Sequence, residues 1–299
     1  MPKILKKLMK NPYKIFVFLG YKGLLNWVGD KAYIKLLYRG IVGKKLNLDN
    51  PKTFNEKLQW LKIYNRKPEY TMMVDKYAVR EYIKEQLGEE FLIPLIGVWD
   101  SPDEIDFDAL PDQFVLKCNH NSGLGMCICT DKSKLDIEAV KEDLRKGLKQ
   151  DYYLTSREWP YKNVKRKIIA EKYMVDESGT ELKDYKVLCF NGEPELIQIH
   201  SGRAKVHMQD YYDTKWNKMD IYQGYPLSDE VREKPVFLEE MLEVSRVLSK
   251  GIPHVRVDWY YVENQLYFGE LTFFDGSGYF EFEPDEWNYK LGEKIKIDK

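Results

Sequence analysis

HVRVDWYYVENQLYFGELTFFDG, residues 254–276, reads as two aromatic-rich strands around a short polar turn. Side chains alternate along a strand, so Arg256, Asp258 and Tyr260 share one face of the first strand, and Glu270 and Thr272 share one face of the second. Glu270 is the odd residue, a carboxylate inside an apolar run that passes into a glycine turn. Whether it meets Asp258 depends on the loop. A three-residue loop, Glu263 to Gln265, pairs the two acids; a two-residue loop, Glu263 and Asn264, pairs Glu270 with Val257 and separates them. Facing carboxylates repel, so pairing demands a positive group between them. Mg²⁺ suits, since it takes one or two protein carboxylates and fills its shell with water and phosphate oxygens. A salt bridge to Arg256 or Lys186 without metal suits equally, and the hairpin alone leaves both open.

Outward from this hairpin, VFLEEMLEVSRVLSKG is an amphipathic helix with Phe237, Met241, Val244 and Leu248 on one stripe and Gly251 as its stop. YKVLCFNGEPELIQIH flanks Asn191-Gly192 with two apolar runs, the pair that most favours a tight type I′ hairpin. QFVLKC and MCICTD read as strands joined by a glycine loop, DIEAVKEDLRKGLKQ as a helix capped by Asp136, and KIIAEKYM as a further strand. Residues 1–88 read as helical, including PKTFNEKLQWLKIYN and VDKYAVREYIKEQLG. The Pro- and Asp-punctuated FLIPLIGVWDSPDEIDFDALP reads as a connector. With no internal repeat, the whole is an α+β protein with mainly antiparallel sheets.

The net charge of −1 hides an asymmetry: residues 1–45 carry 11 Lys and Arg against the single acid Asp30. Such a segment suits an anionic membrane surface or an anionic polymer, and equally a solvated helical face. IFVFLGYKGLLNWVG is interrupted by Lys22 and lacks a cleavage site, and no run reaches the roughly 20 apolar residues that span a bilayer. The four cysteines (Cys118, Cys127, Cys129, Cys189) form neither a disulfide framework nor a zinc pattern and fit reduced thiols in a cytoplasmic protein. The four histidines are too scattered for a metal cluster. Nucleic acid is not among the partners expected.

FVLKCNHNSGLG, residues 114–125, delivers Lys117 on a strand and then the polar loop Asn119 to Gly125. Glycines let backbone N–H groups approach phosphate oxygens, and Lys117 adds charge; the loop matches neither the P-loop nor the dinucleotide fingerprint, so a plain hairpin turn remains open. Lys76 lies at a helix start and Glu171 at a strand end. The succession of DK in VDKYAVREYI, FVLKCNHNSG, AEKYM, DYKVLCFNGEP, VRVDWY and FGELTFFDGSGYF resembles the ATP-grasp superfamily, specifically its TupA-like branch associated with teichuronopeptide and other surface-polysaccharide biosynthesis. The likeness covers roughly residues 50 to 292.

The resemblance implies an ATP-grasp fold in which two α+β subdomains sandwich a nucleotide: a basic helical region over 1–70, a preceding segment over 71–112, a small subdomain over 113–174 and a large one over 175–299. It implies that Lys76 and Lys117 contact ATP phosphates under a mobile flap containing Asn121, Ser122, Gly123 and Gly125. Glu171, Lys172, Tyr173 and Met174 would receive adenine, Lys186 would sit near the phosphates, and Asp258 and Glu270 would hold Mg²⁺. The family's E-x-N metal triad reads Glu270-Leu271-Thr272 here, so a hydroxyl or water replaces the amide oxygen and a second Mg²⁺ is open. The ribose acid falls among Asp176, Glu177 and Asp184.

The reaction implied is γ-phosphoryl transfer to a carboxylate, then amine attack on the acylphosphate. Arg203 and Arg256 are candidates for the anionic substrate, with structural salt bridging as the alternative. The substrate implied is a uronic-acid-containing glycan or precursor, joined to an amino acid or amine, in a cytoplasmic protein that could touch the inner face of a membrane through residues 1–45. A phosphotransferase on the same fold is the runner-up. A glycosyltransferase expects a DxD motif after a Rossmann-like strand, and none follows such a pattern; a non-enzymatic glycan-binding protein is the remaining alternative.

Overall fold

A computed structural model describes residues 11–177, 179, 182–202 and 206–297. Its strands form two antiparallel sheets. Leu95–Trp99 (β1), Phe114–Cys118 (β2), Met126–Cys129 (β3) and Ile168–Lys172 (β4) make a four-stranded sheet in the order β1-β4-β2-β3. Asp184–Phe190 (β5), Glu193–Ser201 (β6), Met208–Asp213 (β7), Lys218–Met219 (β8), His254–Val262 (β9) and Gln265–Thr272 (β10) make a six-stranded sheet in the order β10-β9-β5-β6-β7-β8. The stretch read as a connector therefore contains a strand: β1 comes from the segment 71–112 and pairs antiparallel with β4, which gives the small sheet an edge that begins before residue 113.

Each sheet buries one face under a helix. On β2, Phe114, Leu116 and Cys118 are buried with Leu144 of the helix Ile137–Lys149, whose N-terminus is capped by Asp136 accepting from the Ala139 N–H at 3.0 Å. Alternation then turns Val115 and Lys117 to the opposite face, beside Glu171 of β4. On β9, Val255, Val257 and Trp259 are buried, and the Trp259 indole donates to Ser245 Oγ of the helix Leu238–Ser249 at 2.8 Å. Arg256, Asp258 and Tyr260 consequently point the other way. Helix Phe54–Tyr64 starts at a capping box of Thr53 and Glu56 and adds Phe54, Leu58 and Leu61 to the same core.

The two hairpins show how local and distant terms set register. Asn191 and Gly192 both have positive φ, 52° and 89°, in the two-residue turn between β5 and β6. Glu263 and Asn264, at φ 52° and 64°, make the same kind of turn between β9 and β10. That two-residue loop alone would separate the acids. A β-bulge at Gly269, between the pairs Phe268–Trp259 and Glu270–Asp258, shifts the register by one residue and brings them opposite each other. A Cβ at Gly269 would lie 3.1 Å from both the Asp258 carbonyl oxygen and Tyr260 Cε2, so the bulge is built around the missing side chain.

The helix Asp30–Ile41 packs Tyr33, Ile34, Leu37 and Tyr38 against Leu46, Leu48 and Tyr279, and the helix Lys14–Tyr21 lies against it with Gly20 at Tyr33 and Leu37. Phe18, Tyr21, Leu24 and Trp27 are left exposed, Trp27 by 84%. Among the described residues no helix is long and apolar enough to cross a membrane.

Candidate functional site

Between the open faces of the two sheets lies a cleft of about 690 Å³. The small sheet contributes Lys117 and the loop from Asn121 to Met126; the large sheet contributes Asp184 and Lys186 from β5, Arg256 and Asp258 from β9, and Glu270 from β10. Lys76 reaches in from the turn before the helix Val79–Gln86. That turn is held by Asp75, whose Oδ1 accepts from the N–H groups of Tyr77 and Ala78 and from Asn119 Nδ2.

The loop expected to cover phosphates is anchored at its base. Asn119 is fully buried and donates to Asp75 and to the Lys165 carbonyl, while its own Oδ1 accepts from the Lys167 N–H at 2.7 Å. Asn121 donates to Gln150 Oε1 at 3.0 Å, and Asp143 accepts from the Gly125 N–H at 2.9 Å. Gly125 has φ +68°, and a Cβ there would sit 2.9 Å from Gly147 Cα, so this position is closed to side chains. Ser122 and Gly123 form the exposed tip.

Charge in the cleft is arranged in pairs. Arg256 donates to both oxygens of Asp258 at 2.7 Å and also binds Asp275; Lys186 binds Asp258 from the neighbouring strand. The Arg256 guanidinium lies 3.7 Å from Glu270 and donates to Thr272 Oγ1, which in turn donates to Glu270 Oε1 at 3.3 Å. Lys76 stands 3.4 Å from Glu270 and donates to the Asn121 carbonyl at 2.9 Å, so it joins the loop to the large sheet. Lys117 pairs with Glu171 at 2.6 Å, and Arg80 lies 3.6 Å from the other oxygen of Glu171.

Burial pushes the Glu270 carboxyl up, but the charges of Lys76, Lys186, Arg256 and Lys117 outweigh it and hold it down at about 2. Burial pushes Asp258 above its ordinary value against the pull of Arg256 and Lys186. Behind the cluster, the turn carrying Asp275 is fastened by Lys62, a fully buried lysine that donates to the carbonyls of Ser156 and Ser277. Burial lowers the Lys62 ammonium to about 8, with Glu158 pulling the other way.

Most of the residues singled out in the sequence thus meet in one place: Lys76, Lys117, Asn121, Ser122, Gly123, Gly125, Asp184, Lys186, Arg256, Asp258 and Glu270 all line the cleft, and Thr272 touches Glu270 from behind. The adenine candidates diverge. Lys172 and Tyr173 line a separate depression at the end of the small sheet, Met174 packs with Ile93 and Val262, and Glu171 is paired to Lys117. Asp176 and Glu177 are engaged by Lys183. Arg203 and residues 1–10 lie outside the described residues. Asp275, Lys62 and the glutamines Gln198, Gln209 and Gln223 were not anticipated. Asp275 stands in the DGSG turn already noted, but its partner Arg256 is 19 residues away. Gln198 on β6, Gln209 on β7 and Gln223 after β8 carry no local signal in the sequence.

Among the described residues no three His, Cys, Asp or Glu side chains converge on a point. A hard cation here would complete its shell with water and ligand oxygens, as Mg²⁺ does beside phosphates. Glu270 fits that role: its side chain is 36% exposed and its contacts with Lys76 and Arg256 are long, 3.4 and 3.7 Å. Asp258 has Arg256 on both oxygens and Lys186 on one, so it could ligate only by loosening a cation.

No curated protein matches the sequence. Among solved structures, the D-alanine–D-alanine ligase of Bacillus anthracis, solved with ATP, matches at 19% identity over 67% of this chain and 53% of that chain, with a TM-score of 0.39. The D-alanine–D-alanine ligase of Helicobacter pylori matches at 16% identity over 81% of this chain and 69% of that chain, with a TM-score of 0.43. The N5-carboxyaminoimidazole synthase of Aspergillus clavatus, solved with ADP and 5-aminoimidazole ribonucleotide, matches at 12% identity over 72% and 46%, with a TM-score of 0.40. The chain thus spans about half the length of the Bacillus ligase. Residues 56–296 match the TupA-like ATP-grasp family, and the chain, with its two α+β layers facing one cleft, belongs to that family.

Proposed function

We propose that the protein is an ATP- and Mg²⁺-dependent carboxylate–amine ligase acting in surface-polysaccharide biosynthesis, joining an amino acid or amine to a uronic-acid-containing glycan or its precursor. The observation that carries the reading is the convergence of Lys76, Lys117 and Lys186 with Glu270 in one cleft between two sheets. Three lysines from three separate elements around one half-exposed acid suit a polyphosphate that arrives with its own cation. Lys76 and Lys117 bind phosphate oxygens from the small-sheet side, and the backbone of Ser122 to Gly125 closes over them. Lys186 holds charge where the phosphoryl group leaves the nucleotide. Asp184 is the ribose acid closest to these groups. Adenine would lie toward the end of β4, where Tyr260 lines the cleft next to Met174, although Lys172 and Tyr173 line the separate depression beyond it.

Glu270, with Asp258 beside it, would hold Mg²⁺, whose chemistry is to neutralise charge on the transferring phosphoryl group. Arg256, fixed between Asp258 and Asp275, positions the acids, and with Arg203 it faces the substrate carboxylate. Bond balance is simple: the carboxylate oxygen takes the γ-phosphoryl group and ADP leaves; the amine then forms the C–N bond and inorganic phosphate leaves. Holding water off the acylphosphate falls to the loop tip.

The test compares wild type with Glu270→Gln and Lys117→Ala for thermal stabilisation by ATP with Mg²⁺ and for nucleotide hydrolysis. Stabilisation of wild type should be lost in Lys117→Ala, and its Mg²⁺ dependence lost in Glu270→Gln. An absence of ATP binding by wild type removes the ligase reading, and a stable phosphorylated glycan formed without amine replaces it with phosphotransfer. A second partner, an anionic membrane surface, is supported by the exposed Phe18, Tyr21, Leu24 and Trp27 beside the exposed lysines 14, 22 and 31.

A further inference from the structure

The half of the cleft walled by β6, β7 and residues 223–225 has a different chemistry from the phosphate end. Three carboxamides converge there on one buried phenol. The Tyr211 hydroxyl accepts from Gln198 Nε2 at 2.8 Å and Gln209 Nε2 at 2.6 Å, and donates to Gln223 Oε1 at 2.7 Å. A hydroxyl has one proton and two lone pairs, so the hub is saturated and each amide is held in a single orientation. Gln198 lines the cleft and is 2% exposed, yet its Oε1 has no hydrogen-bond partner. Leaving a buried acceptor unmet costs about 1–3 kcal/mol, which a ligand's donor would recover. Among the described residues this half lines the cleft with no lysine or arginine; its titratable side chains are His200 and His207, joined Nδ1 to Nε2 at 2.7 Å, with the Tyr225 ring against His207. Over the polar floor, Tyr225 and Phe280 expose 41% and 56% of their surface at the mouth of the same cleft.

We infer that this half is a saccharide subsite that takes an uncharged, hydroxyl-bearing face of a pyranose ring. Fixed amides offer paired donors and acceptors at hydroxyl spacing, Gln198 Oε1 takes a hydroxyl proton, and an exposed aromatic ring packs against the ring's C–H face. A zwitterionic amino acid would ask for formal charges that these glutamines lack. Gln198 pairs with Lys186 across β6 and β5, so a sugar seated on the glutamines lies next to the phosphate end. Only the use of that neighbourhood for transfer to the sugar rests on the ligase reading.

Saturation-transfer NMR with methyl α-D-glucopyranoside and with D-glucuronate tests the subsite, run beside ATP·Mg²⁺ thermal shifts on wild type, Gln198→Leu and Tyr225→Ala. Ring protons of both sugars should receive saturation from wild type. Loss of one hydrogen bond or one stacking face should weaken sugar binding about fivefold in each variant, with the ATP shift unchanged. Tyr225 is on the surface, so that variant keeps the comparison intact if Gln198→Leu folds poorly. Sugars that receive no saturation from a wild type that binds ATP, or that bind both variants as well as wild type, overturn the subsite. Sugar binding that depends on Gln198 in a protein that ignores ATP keeps the subsite and removes the ligase reading.

Discussion

Lys62 offers the most quantitative test of how the core supports the cleft. Its ammonium is fully buried, donates to the carbonyls of Ser156 and Ser277, and lies over the rings of Phe274 and Tyr279. Burial, opposed by Glu158, lowers it from 10.5 to about 8. The unfolded chain therefore binds the Lys62 proton more tightly than the folded one, and stability must rise with pH across the window from about 8 to the unfolded value. Below that window the folded state carries the whole cost, about 3 kcal/mol at 1.36 kcal/mol per unit. Integrated between pH 7 and pH 10, the gain is about 2–3 kcal/mol. Lys62→Met removes this titration while keeping the stem, and leaves two carbonyls without a donor, each costing about 1–3 kcal/mol. The two effects offset each other at pH 7 but not at pH 10. Urea denaturation of both proteins at the two pH values isolates the term, since every other titrating group is common to them. Wild type should gain about 2–3 kcal/mol over Lys62→Met on going from pH 7 to pH 10. Equal pH responses would mean that Lys62 keeps the proton affinity of a solvated ammonium in the folded protein, and the account of the Asp275 turn as fastened by a buried cation would be wrong.

Gly269→Val should destabilise by about 1–3 kcal/mol, the usual range for overpacking, because its side chain would press on the Asp258 carbonyl and the Tyr260 ring. Chemical denaturation checks the stability, and loss of the ATP·Mg²⁺ thermal shift in the same variant would follow from displacing Glu270; a variant as stable and responsive as wild type would show that the bulge tolerates a branched side chain. Phe18→Ser with Trp27→Ser should reduce sedimentation with phosphatidylglycerol-containing vesicles about tenfold or more, each buried aromatic being worth roughly 1.5–3 kcal/mol, and raised salt should weaken the remainder. Equal binding by the double variant, or equal binding to vesicles of phosphatidylcholine alone, would remove the membrane surface as a partner.

What the sequence could show depended on how local the cause was. The hairpin at Asn191-Gly192 was legible because the turn pairs Phe190 with Glu193 and Cys189 with Pro194, although a bulge between Leu188 and Cys189 then shifts the rest of the β5–β6 register by one residue. The pairing of Asp258 with Glu270 was not, because it arises from a two-residue turn combined with a bulge, and the bulge depends on how close β9 backbone and the Tyr260 ring come to Gly269. Strand β7 was missed for a related reason. Four consecutive buried residues, Gln209 to Tyr212, leave no alternation to read, and two of them are polar only because they join the Tyr211 hub and the Asp210 contacts. The site residues were visible as an order along the chain, yet order does not state who pairs with whom. In the folded cleft Lys76 stands against Glu270, Lys117 against Glu171 and Lys186 against Asp258. A polyanion entering alone would have to compete with three carboxylates for the same lysines. One that enters with a divalent cation gives at least Glu270 a new partner as it takes Lys76 away, and so avoids leaving a desolvated charge unpaired. The closeness of Lys117 to Glu171 sets the same condition on the small sheet: binding there must either share Lys117 or turn Glu171 toward Arg80, which lies 3.6 Å away.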